Sequence, residues 1–153
     1  PRHVERCAEI TQQFSDQNWN FLLQSEKRSI DAGQDILLVD TMGDLLKLMG
    51  LATVAVIGGS FIPKGGHNML EAAAWGVPIV IGPYSQNFAE ITDLLVSGKA
   101  MLQVGSDLLS DSLLRLLEDE RLRAKMGESG RRILEENRGA KDNTFAVLAS
   151  TLS

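Results

Sequence analysis

Thr53-Val-Ala-Val-Ile57, then Gly58-Gly-Ser-Phe-Ile-Pro-Lys-Gly-Gly-His67, then Asn68-Met-Leu-Glu-Ala-Ala-Ala-Trp75, then Gly76-Val-Pro-Ile-Val-Ile81-Gly-Pro83 reads as strand, glycine-rich loop, helix and second strand. The same alternation extends in both directions. Upstream, Val4 to Phe14 carries apolar residues at helical spacing, Asn20 to Gln24 and Asp35 to Asp40 are apolar runs of strand length, and Asp44 to Met49 is a short helix. The run Ile36 to Val39 is continuous rather than alternating, which fits a strand covered on both faces in a parallel sheet. Downstream come a helix from Gln86 to Ser97, a strand from Ala100 to Val104, and helices at Ser106–Leu117, Glu120–Glu136 and Ala140–Leu152. Strands and helices taking turns at this spacing form βαβ units, so the expected fold is α/β: a Rossmann-like open parallel sheet with helices on both faces, with residues 1–153 as one domain.

Such a sheet binds its ligands beyond the carboxyl ends of the strands. The segments Thr41–Gly43, Gly58–His67 and Gly82–Gln86 all follow strands and are expected to gather at that edge. The second holds Gly58, Gly59, Gly65 and Gly66, four of the chain's 14 glycines. They serve either turn geometry or the close approach of backbone to a ligand, and the loop leads into a helix start whose N–H groups favour an anion. Asn68 suits the N-cap, with Glu71 three positions later in the pattern of a capping box. Between Gly50 and Thr92 only Lys64, Glu71 and Glu90 carry formal charge, although 23% of the chain is charged. Lys64 beside Gly65-Gly66 is therefore placed to meet a phosphate, and Glu71 is either a cap partner or an acceptor for ribose hydroxyls. Ser60 has no His/Asp partner in the sequence and reads as a loop hydroxyl bonding backbone or phosphate. His3 and His67, the two histidines, read as structural hydrogen bonders, His67 bordering the phosphate loop. The loop matches neither G-x-G-x-x-G nor G-x-x-x-x-G-K-[ST], which disfavours hydride transfer and P-loop chemistry.

Composition narrows the choice further. The chain has 153 residues with 15 Lys+Arg against 20 Asp+Glu, a formal charge of −5 and a pI near 5.0. That balance argues against a nucleic-acid partner, which would want a basic surface. Cys7 is the single cysteine, and no Cys/His cluster has zinc spacing, so no disulfide and no metal are expected. There is no run of about 18 apolar residues, the length that spans a bilayer. The acidic and basic residues from Gly105 to Arg138 nearly cancel, and that stretch reads as a solvated face with no membrane role. The opening Pro1-Arg-His3, without an initiator methionine, suggests a fragment of a longer polypeptide.

Gly58-Gly-Ser60, Gly65-Gly-His-Asn68, Leu70-Glu-Ala-Ala73, Gly76-Val-Pro78, Gly82-Pro83 and Asn87-Phe88 together resemble the donor-side motif of the 3-deoxy-D-manno-octulosonate (Kdo) transferases of lipopolysaccharide synthesis. Pro1-Arg-His3 with Glu5-Arg6, and Val39-Asp-Thr-Met-Gly-Asp44, resemble two further motifs of that family, and Arg123-Ala-Lys-Met-Gly127 a late-helix pattern of GT-B glycosyltransferases generally. The resemblance implies the C-terminal half of a GT-B fold, which binds the donor CMP-Kdo without a metal cofactor. Its CMP contacts fall on Pro1, Arg2, Met42, Gly43, Asp44, Asn68, Met69, Leu70 and Glu71, to which the loop reading adds Gly59, Ser60, Lys64, Gly66 and His67. Arg2 has the geometry for a bidentate grip on phosphate or carboxylate. No catalytic residue is expected in this chain. The resemblance places the base, the site for the lipid A precursor and the attachment to the inner membrane in an N-terminal domain, with the intact enzyme at the membrane's cytoplasmic face and this piece soluble. Val4, Asp44 and Met69 depart from the family's usual Pro, Glu and Pro. A UDP-sugar GT-B enzyme or epimerase, and a non-catalytic Rossmann-like interaction module, are the competing readings.

Overall fold

The computed structural model describes residues 6–26, 33–41 and 43–151, with backbone alone from 138 onward. It divides into two compact units, one ending at Leu48 and one beginning at Met49, where the sequence reading treats the chain as one domain.

The first unit opens with helix α1 (Cys7–Asp16). Asn18 ends it in the left-handed conformation at φ 56°, and the N–H groups of Asn18 and Trp19 donate to the carbonyls of Ser15 and Phe14, both at 3.0 Å. That pair of bonds satisfies carbonyls the helix end leaves unpaired. Phe14 then packs on Trp19 and on Phe21, with ring centroids 5.9 and 5.7 Å apart, holding α1 to the strand that follows.

Strands β1 (Phe21–Leu23) and β2 (Ile36–Leu38) pair in parallel, Leu22 opposite Leu37. Both ends of the pair are tied by aspartates. The Asn20 N–H donates to the Asp35 carboxylate at 3.0 Å, while the Asn20 carbonyl accepts from Asp35 and Ile36. At the far end the Asp40 carboxylate accepts from the Ser25 N–H at 2.8 Å and the Ser25 hydroxyl at 2.6 Å. Helix α2 (Asp44–Met49) follows within a few residues of that tie.

In the second unit β3 (Ala55–Ile57), β4 (Ile79–Ile81) and β5 (Met101–Gln103) form a parallel sheet in the order β3-β4-β5, with Ile57, Ile81 and Gln103 aligned across it. Between and after them come α3 (Leu70–Trp75), α4 (Ala89–Ser97), α5 (Leu109–Glu118) and α6 (Glu120–Thr151). Side chains of a strand alternate between its faces. Accordingly Ile79 and Ile81 join Met69, Ala72, Ala73, Leu95 and Ile133 in one core, formed with α3, α4 and α6. Val80, between them, joins Leu116 of α5 and Met126 of α6 in a second core. Helices thus cover both faces, and all three β4 residues are 0% exposed. Burial of each contributes about 1.5–3 kcal/mol, which is why β4 tolerates no polar residue on either side. The expected α/β class with parallel strands and two helical layers holds, although the described strands pair as a two-stranded and a three-stranded sheet rather than one ladder.

The packing of α6 on α3 depends on small residues. A Cβ on Gly127 would stand 2.1 Å from the Gly76 carbonyl oxygen, and Gly130 lies over Ala73. Two arginines of α6 also close the ends of other helices. Arg131 donates to the Trp75 carbonyl at 2.6 Å, and Arg123 to those of Leu116 and Leu117 at 2.7 and 2.8 Å. A guanidinium there satisfies carbonyls at the negative end of the helix dipole.

One expectation is corrected. The sequence reading breaks the last segment into helices at Glu120–Glu136 and Ala140–Leu152, whereas α6 runs unbroken to Thr151. Gly139 weakens a helix by only about 1 kcal/mol relative to alanine, too little to end it, and Asn137 turns its amide inward to the Ile133 carbonyl at 2.7 Å instead of capping.

Candidate functional site

The carboxyl ends of β3 and β4 release two loops, 58–69 and 82–88, that lie against each other. Gly58–Ser60 forms a single 3-10 turn, closed by the Phe61 N–H on the Gly58 carbonyl. Ser60 is 0% exposed. Its hydroxyl donates to the Ile57 carbonyl and accepts the Gly82 N–H at 2.7 Å, while its carbonyl accepts the Tyr84 N–H at 2.9 Å. Gly82 has to be glycine for this crossing, since a Cβ would lie 2.4 Å from the Ser60 oxygen. Further along, the Asn87 N–H donates to the Gly65 carbonyl at 3.2 Å.

These contacts revise several expectations. Ser60 braces one loop against the other and is sealed from any ligand. Gly66 is buried too, at φ +81°, with Tyr84 and Ser85 where its side chain would be; Gly65, also at φ +81°, has the Asn87 amide in that place. The space beside Gly59 is taken by the imidazole of His67. In all three the missing Cβ admits the protein's own atoms, so turn geometry and loop packing, not approach to a ligand, account for the glycines. Met69 is 0% exposed, backbone included, and belongs to the core.

What remains at the surface is a compact polar set. Lys64, His67, Asn68 and Glu71 are exposed, and Leu70 is 37% exposed. The Asn68 carboxamide oxygen accepts the Leu70 N–H at 3.0 Å, an Asx turn that starts α3 one residue inside the expected N-cap. Glu71 makes no reciprocal bond, so no capping box forms. Among the described residues neither Lys64 nor Glu71 is ion-paired, which leaves an ammonium in the loop before α3 and a carboxylate in its first turn available.

In the first unit Gly43 is exposed at φ +89°, and Asp44 begins α2. The Asp44 carboxylate accepts the Thr41 hydroxyl at 2.6 Å and lies 4.0 Å from the Lys47 ammonium. The Ser25 hydroxyl, followed by the Ser25 N–H, lowers the Asp40 pKa from the ordinary aspartate value. Asp40 thereby anchors the chain at the point where it turns into Thr41–Asp44, a role that spacing alone did not mark. Pro1, Arg2, His3 and Met42 lie outside the described residues. Among the described residues no group of three His, Cys, Asp or Glu is placed to hold a metal ion, and no helix is long and apolar enough to cross a membrane. Two grooves of about 640 and 750 Å³ lie along α5–α6 and α4–α6, and no residue of the two loops lines either.

The profile of the family Glycosyl transferases group 1 matches residues 16–133. The chain belongs to that family. Among similar members, the 3-deoxy-D-manno-octulosonic acid transferase of Haemophilus influenzae is 34% identical over 150 residues, covering 97% of this chain and 35% of the relative. That of Bordetella pertussis is 32% identical, covering 99% and 36%. This group 1 glycosyltransferase chain therefore spans about a third of the length of the curated relatives it matches. Its fold matches the crystal structure of the C-terminal CMP-Kdo binding domain of WaaA from Acinetobacter baumannii, with a TM-score of 0.82 and 32% identity over 88% of this chain and 70% of the other.

Proposed function

We propose that this chain is the donor-binding part of a glycosyltransferase that moves Kdo from CMP-Kdo to a lipid A precursor. The observation that carries the reading is the likeness to a CMP-Kdo binding domain in both sequence and fold, over 88% of this chain. The transfer breaks the bond from the sugar's anomeric carbon to the CMP phosphate, whose oxygen keeps the electron pair. A new bond forms from that carbon to an acceptor hydroxyl, and the hydroxyl proton passes to a base. Negative charge grows on the departing phosphate, and donors fixed where it grows accelerate the step. Lys64 and the N–H groups of the first α3 turn are such donors, while the Glu71 carboxylate accepts hydrogen bonds from ribose hydroxyls. Gly43 and Asp44 are the first unit's own candidate CMP contacts.

The base, the acceptor site and the attachment to the inner membrane are assigned to the rest of the enzyme, on the membrane's cytoplasmic side. The reaction needs no metal, because Lys64 and the helix N–H groups take the place of a cation at the phosphate. The isolated chain accordingly binds CMP and transfers nothing. A titration of the ¹⁵N-labelled chain with CMP, UDP and GDP tests this: CMP shifts the amides of Lys64 to Glu71 at lower concentration than UDP or GDP. A preference for UDP would move the reading to a UDP-sugar enzyme. Silence toward all three would leave a non-catalytic module.

A further inference from the structure

The loop that carries Lys64 and His67 is not held in place by its own helix alone. It leans on the 82–88 loop, and that loop is in turn gripped from β5. Gln103 is the last residue of β5, opposite Ile81, and the Val104 N–H continues the ladder to the Ile81 carbonyl at 2.9 Å. From there the Gln103 amide reaches past the end of β4 and donates to both the Gly82 carbonyl and the Ser85 hydroxyl, each at 3.3 Å. Gly82 and Tyr84 donate to Ser60, Asn87 to Gly65, and Ser85 packs on Gly66. A line of bonds therefore runs from the end of β5, through the 82–88 loop, to both ends of the 60–66 segment.

We infer that Gln103 is a positioning residue for the donor phosphate, acting through the Gly82–Asn87 loop to hold Lys64 and His67 where the phosphate is met. The inference rests on the donor-binding role proposed above. Gln103 is exposed, so replacing it opens no hole in either core. The bonds it makes are spent on a loop and not on the sheet, whose ladder uses backbone groups alone.

The test compares the wild-type chain with Gln103→Glu, which keeps the shape and loses the donor, and with Ser85→Ala, which removes one of the two acceptors. In the ligand-free Gln103→Glu chain the amide resonances of Gly65, Gly66 and His67 shift, and the melting temperature falls by only a few degrees, so that the chain stays folded where binding is measured. CMP then binds about five- to ten-fold more weakly, the effect of losing one to two ordinary hydrogen bonds. Ser85→Ala weakens binding less, and the double variant is no weaker than Gln103→Glu alone, because both act on the same loop. Wild-type affinity in Gln103→Glu overturns this inference and leaves the proposed function standing. A fall in melting temperature that accounts for the lost affinity overturns it in favour of a plain stabilising role. A wild-type chain with no response to CMP overturns both.

Discussion

Replacing Gly127 with alanine places a methyl group 2.1 Å from the carbonyl oxygen of Gly76 and 3.0 Å from its carbon, whereas at Gly130, three residues along the same helix, the nearest atom is the Ala73 oxygen at 3.5 Å. Both substitutions gain about 1 kcal/mol of helix propensity. At 130 nothing opposes the gain, since 3.5 Å is ordinary van der Waals contact. At 127 the obstacle is backbone. Gly76 sits in the left-handed conformation at φ 69°, with its N–H on the Ala73 carbonyl and the Val77 N–H on the Ala72 carbonyl, so its oxygen cannot retreat without opening the end of α3. Overpacking of this kind costs about 3 kcal/mol or more, for a net loss of about 2 kcal/mol. In a chain of this length 1 kcal/mol moves the melting temperature by about 2–4 °C. Thermal unfolding followed by circular dichroism should therefore show Gly127→Ala melting roughly 4–8 °C below wild type and Gly130→Ala roughly 2–4 °C above it. Shifts of the same sign in both variants, or an unchanged Gly127→Ala, would refute the close-packed crossing of α6 on α3.

Other outcomes follow from single groups. Lys99 ends α4 in the left-handed conformation at φ 59°, a strain that glycine lacks, and Lys99→Gly is expected to gain about 0.5–1 kcal/mol in chemical denaturation. The Asp40 pKa is lowered on folding; stability from its bonds to Ser25 is present above the unfolded pKa and is lost as pH falls through the folded one. Acid titration below about pH 4 should release the Ser25 amide resonance in wild type, and Asp40→Asn should remove that acid-dependent step. Lys64→Ala and Glu71→Ala leave both cores untouched and should each weaken CMP binding about ten-fold by isothermal titration, as expected for a charge-assisted hydrogen bond. Wild-type affinity in both variants would place the donor elsewhere.

Much of the second unit was legible because its signals are local. Val77-Pro-Ile-Val-Ile81 is apolar throughout, as a strand covered on both faces must be, and Gly76 marks the end of α3 by the only conformation it allows without strain. Where the first unit ends, Asp44–Met49 was bounded to the residue, and the structure starts that helix with the Thr41 hydroxyl on the Asp44 carboxylate. Positions where two segments compete for the same space were not legible. Gly59, Gly65 and Gly66 looked like a cradle for phosphate, but whether a missing Cβ admits a ligand or the protein's own atoms depends on the 82–88 loop, some twenty residues away in sequence. Ser60 reads from sequence as a loop hydroxyl bonding backbone or phosphate, and only its neighbours decide for backbone; Met69, placed among the CMP contacts, is buried in the core for the same reason, because burial is a property of neighbours. Gln103 carried no periodic or motif signal, its work being done across strands, and Asp40, although it lies within the Val39–Asp44 motif, was not marked for its tie to Ser25.

Order and type of elements, the α/β class and the run of motifs that resembles those of the Kdo transferases all follow from short-range patterns, in which each residue's neighbours in the chain decide its conformation. Tertiary structure alone decided which of the marked residues face outward. Backbone hydrogen bonds fold the Gly58–Asn68 loop onto the Gly82–Asn87 loop, and that closure buries Ser60 and Gly66 while leaving Lys64 and His67 exposed; core packing under α3 buries Met69 and leaves Glu71 outside.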